Sequence, residues 1–115
     1  MKNYIKKYED VLTLMEKLGG RMPKTMSSFA AFHKTSVSNG TLSSKIKELI
    51  ALGIAIVVNC EGSIAFHVHD ALENGATSEE IIETIGVAVC MGGGPALVYG
   101  CEAMEALDQF KAVKQ

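Results

Sequence analysis

The sequence predicts an all-α domain of about six helices. Its apolar residues recur at three- and four-residue steps, its punctuation is sparse, and the longest candidate strands lie inside longer helical patterns. The 115 residues suit a compact single domain spanning 1–115, able to bury roughly two-thirds of the surface the unfolded chain exposes. No linker or repeat divides the chain.

Tyr4, Tyr8, Val11, Met15 and Leu18 form the apolar stripe of a first helix, with Lys6, Lys7, Glu9, Asp10 and Lys17 between them. Gly19-Gly20 is expected to end it. Pro23 fits the first turn of a second helix carrying Met26, Phe29, Ala30 and Phe32, ending near Asn39-Gly40. A third starts at Ser43 or Ser44 and runs into Leu49–Val58, which is apolar on every side and so is expected to be buried all round. A fourth spans about Cys60 to Asn74 and stops at Gly75. Thr77 and Glu80 form a capping box for a fifth, containing Ile81, Ile82, Ile85, Val87 and Met91. Pro95 starts a sixth, with Leu97, Cys101, Met104 and Leu107 on one face. The third and fifth helices carry more apolar surface than one such domain easily hides, so a homo-oligomer is expected.

Composition removes several function classes. Eleven Lys+Arg against 13 Asp+Glu leave no basic excess for nucleic acid. The apolar run 49–58 is too short to span a bilayer. No metal is expected, because His67 and His69, two residues apart, diverge on a helix and His33 has no partner at ligand spacing. Nor is a cofactor: Gly92-Gly93-Gly94-Pro95 lacks the Lys-Ser/Thr of a phosphate loop and reads as a tight turn. Three cysteines, an odd number, point to free thiols in a reducing compartment, hence a cytoplasmic protein.

Chemistry concentrates around Cys60. Asn59 is a good N-cap, which would place Cys60 in the first turn of the fourth helix, where free N–H groups and the helix dipole favour a thiolate. At about 100° per residue, Ser63 lies about 60° and His67 about 20° from Cys60, so the three share a stripe. If the third and fourth helices fold back about Asn59, Glu48 comes within reach of His67, directly or through a water. A carboxylate, an imidazole and a helix-start thiol make a proton relay: Glu48 orients His67, and His67 acts as general base toward the thiol. Cys90 and Cys101 sit in apolar helical text and are expected in the core.

The spacing Glu-x11-Cys-x-x-Cys-x3-His is the signature of alkyl hydroperoxidase D-like proteins, within the carboxymuconolactone decarboxylase-like family. This sequence resembles it through Glu48, Cys60, Ser63 and His67, and through Lys-Glu-Leu-Ile-Ala-Leu before the site and His-x-x-x-Ala-Leu-x-x-Gly-Ala-Thr-x-Glu-Glu-Ile after it, over about residues 41–107. The resemblance implies an all-helical fold assembling as trimers or hexamers. It also implies peroxide reduction through a cysteine pair reopened by a partner dithiol or, in other members, decarboxylation of a lactone without that pair. Here the second cysteine position is Ser63, so the motif disulfide cannot form.

The function expected is therefore a thiol-dependent, peroxiredoxin-like peroxidase. Cys60 is oxidised and resolved by an external thiol or by Cys90 or Cys101, with catalytic roles for Cys60, His67, Glu48 and Ser63. A decarboxylase-like enzyme acting on a small carboxylate, and a non-catalytic oligomeric protein, are the alternatives.

Overall fold

The computed structural model describes residues 2–114. They form six helices: α1 Tyr4–Arg21, α2 Pro23–Val37, α3 Ser44–Val57, α4 Glu61–Glu73, α5 Ser78–Gly92 and α6 Gly94–Lys114. The all-α expectation holds. α1 runs on through Gly19-Gly20 to Arg21, because Pro23 rather than the glycine pair stops it: Met22 is at once the C-cap of α1 and the N-cap of α2. Ser43 caps α3 by accepting from the Ile46 N–H at 3.2 Å. The Thr77–Glu80 capping box opens α5 as expected, with both reciprocal bonds present at 3.1 and 2.9 Å.

α3 is the centre of the fold. It packs against α4 on one side and α5 on another, while α5 lies along α6. α1 crosses α4 and α6, and α2 packs on α1 and the edge of α3, its His33 ring meeting Phe66 of α4. The core is built from Leu52, Ala55 and Ile56 of α3, Ile64, Ala65 and Val68 of α4, Ile81 and Ala88 of α5, and Ala103, Ala106 and Leu107 of α6. The many alanines let the helix axes approach closely. A Lys45–Glu80 ion pair at 2.9 Å ties the start of α3 to α5.

The α3–α4 junction corrects the reading of Asn59. This residue does not cap α4; it adopts φ +59 and closes α3. Its N–H bonds to the Ile56 carbonyl at 3.2 Å and the Cys60 N–H to the Ala55 carbonyl at 3.0 Å, the two bonds of a Schellman motif. Asn is favoured both as an N-cap and in the left-handed region, and here the second property wins. The same motif ends α4, where Gly75 has φ +90 and Ala76 bonds back to Ala71 at 2.9 Å. Between α5 and α6 a single residue, Gly93, makes the turn with φ 72 and ψ −151, a region open essentially to glycine alone. The glycine run is thus the tight turn anticipated.

Two expectations about burial fail. α3 is not buried all round: Ile50, Ile54 and Val57 stand exposed beside Val87 and Met91 of α5, and together they line an apolar groove of about 570 Å³. Cys90 and Cys101 are exposed. Each lies two residues, about 200° around the helix, from a buried alanine (Ala88 and Ala103), which turns it to the opposite face.

Candidate active site

α3 and α4 bring the signature residues together. Glu48 sits on the first turns of α3 and is the one charged residue in the described core, 2% exposed. Its Oε1 lies 2.8 Å from Nδ1 of His67, two turns into α4. The expected contact is therefore direct. With the carboxylate accepting from Nδ1–H, the other ring nitrogen, Nε2, is left to exchange a proton with a reactant. No buried side-chain nitrogen or oxygen among the described residues lacks a hydrogen-bond partner, so the buried carboxylate is compensated by this pairing.

Cys60 is the N-cap of α4 rather than a first-turn residue, a shift of one position caused by the role of Asn59. It remains at the helix start and is exposed. Its Sγ donates to Oγ of Ser63 at 3.1 Å. Four side chains thus form two bonded pairs, Glu48–His67 and Cys60–Ser63. Among the described residues no hydrogen bond joins one pair to the other. Ser63 is the closer link, since Ser63 and His67 both line a cavity of about 280 Å³.

The remaining walls of that cavity come from α1 and α2: Val11 and Met15, then Met26, Phe29, Ala30 and His33. The ring of Phe66 on α4 contacts two imidazoles, with its centroid 6.3 Å from that of His33 and 5.7 Å from that of His67. Sequence reasoning missed His33 as a site residue. Helical spacing held a usable signal, because Met26, Phe29, Ala30 and His33 follow i, i+3, i+4, i+7.

The N-terminal segment is anchored beside the thiol. Lys2 contacts Glu61 at 3.0 Å and Glu102 at 3.1 Å, and Lys7 reaches Glu61 at 3.6 Å. The hydrogen bond from Lys2 holds the Glu61 carboxyl below its ordinary range, helped by the charges of Lys7 and Lys2. Tyr4 is buried, and its hydroxyl donates to Glu102; burial, then that bond, push its ionisation upward. These contacts hold α1 against α4 and α6, and with it Val11 and Met15 on the cavity wall. Among the described residues no group of three or more His, Cys, Asp or Glu is arranged to hold a metal, and no helix is long and apolar enough to cross a membrane.

Comparison with known proteins matches residues 23–106 to the model of the carboxymuconolactone decarboxylase family. The chain belongs to this family. The match begins at α2, earlier than the region of resemblance anticipated from the motif. The chain is similar to an uncharacterised protein of Cupriavidus necator, 35% identical over 83% of this chain and 84% of its own length. A protein of the cox locus of Paracoccus denitrificans is 38% identical over 72% and 75%. Among solved structures, a carboxymuconolactone decarboxylase family protein of Legionella pneumophila superposes with a TM-score of 0.89 at 39% identity, covering 93% of this chain and 96% of that one. A Thermotoga maritima family member, for which involvement in the antioxidative response has been suggested, gives 0.84 at 27% identity over 95% and 92%.

Proposed function

We propose that this carboxymuconolactone decarboxylase family protein is a thiol-dependent peroxidase. The observation that carries this reading is that one member of each bonded pair, His67 of Glu48–His67 and Ser63 of Cys60–Ser63, lines the same small cavity. The antioxidative role suggested for the Thermotoga relative agrees with it.

Glu48 fixes the His67 ring, and His67 takes the thiol proton, with Ser63 Oγ as the intermediate hydroxyl. The Cys60 thiolate then attacks the terminal oxygen of a hydroperoxide. An S–O bond forms as the O–O bond breaks, sulfur gives up two electrons, and the alkoxide leaves as an alcohol by taking a proton back from His67. A thiol from solution displaces the hydroxyl of the sulfenic acid, giving water and a mixed disulfide. A second thiol frees Cys60 and leaves as the oxidised disulfide.

Because position 63 is serine, an external thiol supplies the resolving sulfur. The apolar groove between α3 and α5 is covered, in this reading, by further copies of the chain in a homo-oligomer.

The test is hydroperoxide turnover in the presence of a dithiol reductant. Wild type turns over, Cys60→Ser does not, and Ser63→Cys turns over faster because the resolving thiol becomes intramolecular. A rate unchanged in Cys60→Ser contradicts the proposal. It would favour the second reading, proton transfer by Glu48 and His67 on a small carboxylate substrate. The absence of Cys60 from the residues lining the cavity speaks for that reading.

A further inference from the structure

The site carries a second imidazole that the motif does not include. His33 lies on α2, half-buried, and lines the same cavity as His67 and Ser63. Its ring meets those of Phe29 and Phe66, with centroids 6.4 Å and 6.3 Å away. Among the described residues its ring nitrogens have no hydrogen-bond partner. The other two histidines do: His67 bonds Glu48, and His69 bonds Asp70 at 2.9 Å. Every polar side chain on the cavity wall is an imidazole or a hydroxyl, and none is a carboxylate. The rest of the wall is Val11, Met15, Met26, Phe29 and Phe66 with small residues between. A volume of about 280 Å³ is close to the lower end of the roughly 300–1,000 Å³ of small-molecule pockets, well beyond what hydrogen peroxide needs.

We propose that His33 is a specificity-determining residue that binds a carboxylate on the substrate, so that the preferred reactant is a small organic hydroperoxide with an apolar body and an acidic group. The apolar body lies against the methionines and phenylalanines. The peroxide group faces His67 and Ser63, and the carboxylate accepts a hydrogen bond from the His33 imidazole, whose ring packs edge-on against Phe66. This deepens the peroxidase reading and rests on it for the identity of the reacting group, but not for the binding preference.

Binding and turnover therefore have to be measured separately. Binding of cumyl alcohol and of its para-carboxy counterpart is followed by NMR shift titration on the full chain; neither has an O–O bond, so neither depends on Cys60 chemistry. The acid should bind more tightly than the plain alcohol by about tenfold, the scale of one charge-assisted hydrogen bond. His33→Phe, which keeps the ring contacts, should abolish the preference while leaving the plain alcohol within about twofold, and His33→Gln should restore part of it. In turnover, kcat/KM for carboxylated cumene hydroperoxide over the unsubstituted peroxide should fall in His33→Phe through KM, with kcat little changed.

A preference that survives in His33→Phe overturns the inference, as does binding that leaves the resonances of Phe66 and Met26 unmoved. Selective binding without any peroxide turnover supports the assignment of His33 and overturns the peroxidase reading instead.

Discussion

Removing the imidazole of His67 should cost far more stability than the loss of one surface histidine. In His67→Ala the Glu48 carboxylate stays in the core, its side chain 3% exposed, without the partner 2.8 Å away that compensates it. Stranding a buried charge in this way costs about 3–5 kcal/mol. For a chain of this size that lowers Tm by roughly 10–20 °C, taking about 4 °C per kcal/mol.

Glu48→Leu is the milder change. The imidazole it leaves behind is 17% exposed and lines the cavity, so a single N–H rather than a carboxylate loses its partner, and the cost is about 1–2 kcal/mol. The double variant Glu48→Leu/His67→Ala contains no buried charge and should be more stable than His67→Ala alone. The assay is urea unfolding of all four proteins at one protein concentration, so that any assembly contributes equally. The cycle should give a coupling of about 2 kcal/mol. Additivity of the two single changes within about 0.5 kcal/mol would refute the claim that Glu48 and His67 act as a unit.

Further outcomes follow from the rest of the structure. Thr77→Ala removes one half of the α5 capping box and should cost about 1 kcal/mol, read as a lowered Tm. Gly93→Ala forces a Cβ onto φ 72, ψ −151 and should cost about 1–3 kcal/mol, visible in the same melt. The hydrogen bond from Lys2 depresses the folded-state ionisation of Glu61, so its contribution is present above the ordinary carboxylate range and is lost as pH falls through the depressed value. Lys2→Met should accordingly lower Tm at neutral pH and flatten the acid side of a Tm-against-pH profile; because the same carboxylates raise the ionisation of Lys2, it should also lessen the fall on the alkaline side. In the proposed homo-oligomer, a charge placed in the α3–α5 groove, as in Ile54→Glu, should yield a folded protein of monomer mass by light scattering where wild type is larger; equal mass in the two proteins contradicts covering of this groove by further copies.

The local signals of this sequence were legible because each is satisfied within a few residues. Ser43, the Thr77–Glu80 box and Gly75 end or begin helices by bonds to their own backbone neighbourhood, and Glu48, Cys60, Ser63 and His67 sit on one helix hairpin whose turn brings them together. What could not be read was set by competition or by tertiary packing. Asn59 suits two adjacent roles, and only the hydrogen bonds of Ile56 and Ala55 decide that it ends α3 rather than starting α4. Apolar helix faces look alike whether they meet a core or a neighbouring molecule, so the exposure of Ile54, Met91, Cys90 and Cys101 was hidden in text that reads as interior. His33 lies far from the motif in sequence, and only the packing of α1 and α2 over α4 brings it to the cavity.

The central claim is that Cys60 is the atom oxidised and that His67 makes it reactive. Mass spectrometry after brief treatment with an organic hydroperoxide and a sulfenic-acid trap tests this most directly, with wild type and His67→Ala compared side by side. The trap should mark Cys60 in wild type, and the label should drop by about a hundredfold in His67→Ala, the lower bound of what a positioned base contributes. Label on Cys90 or Cys101 with Cys60 unmodified, or equal labelling of Cys60 in both proteins, would contradict it.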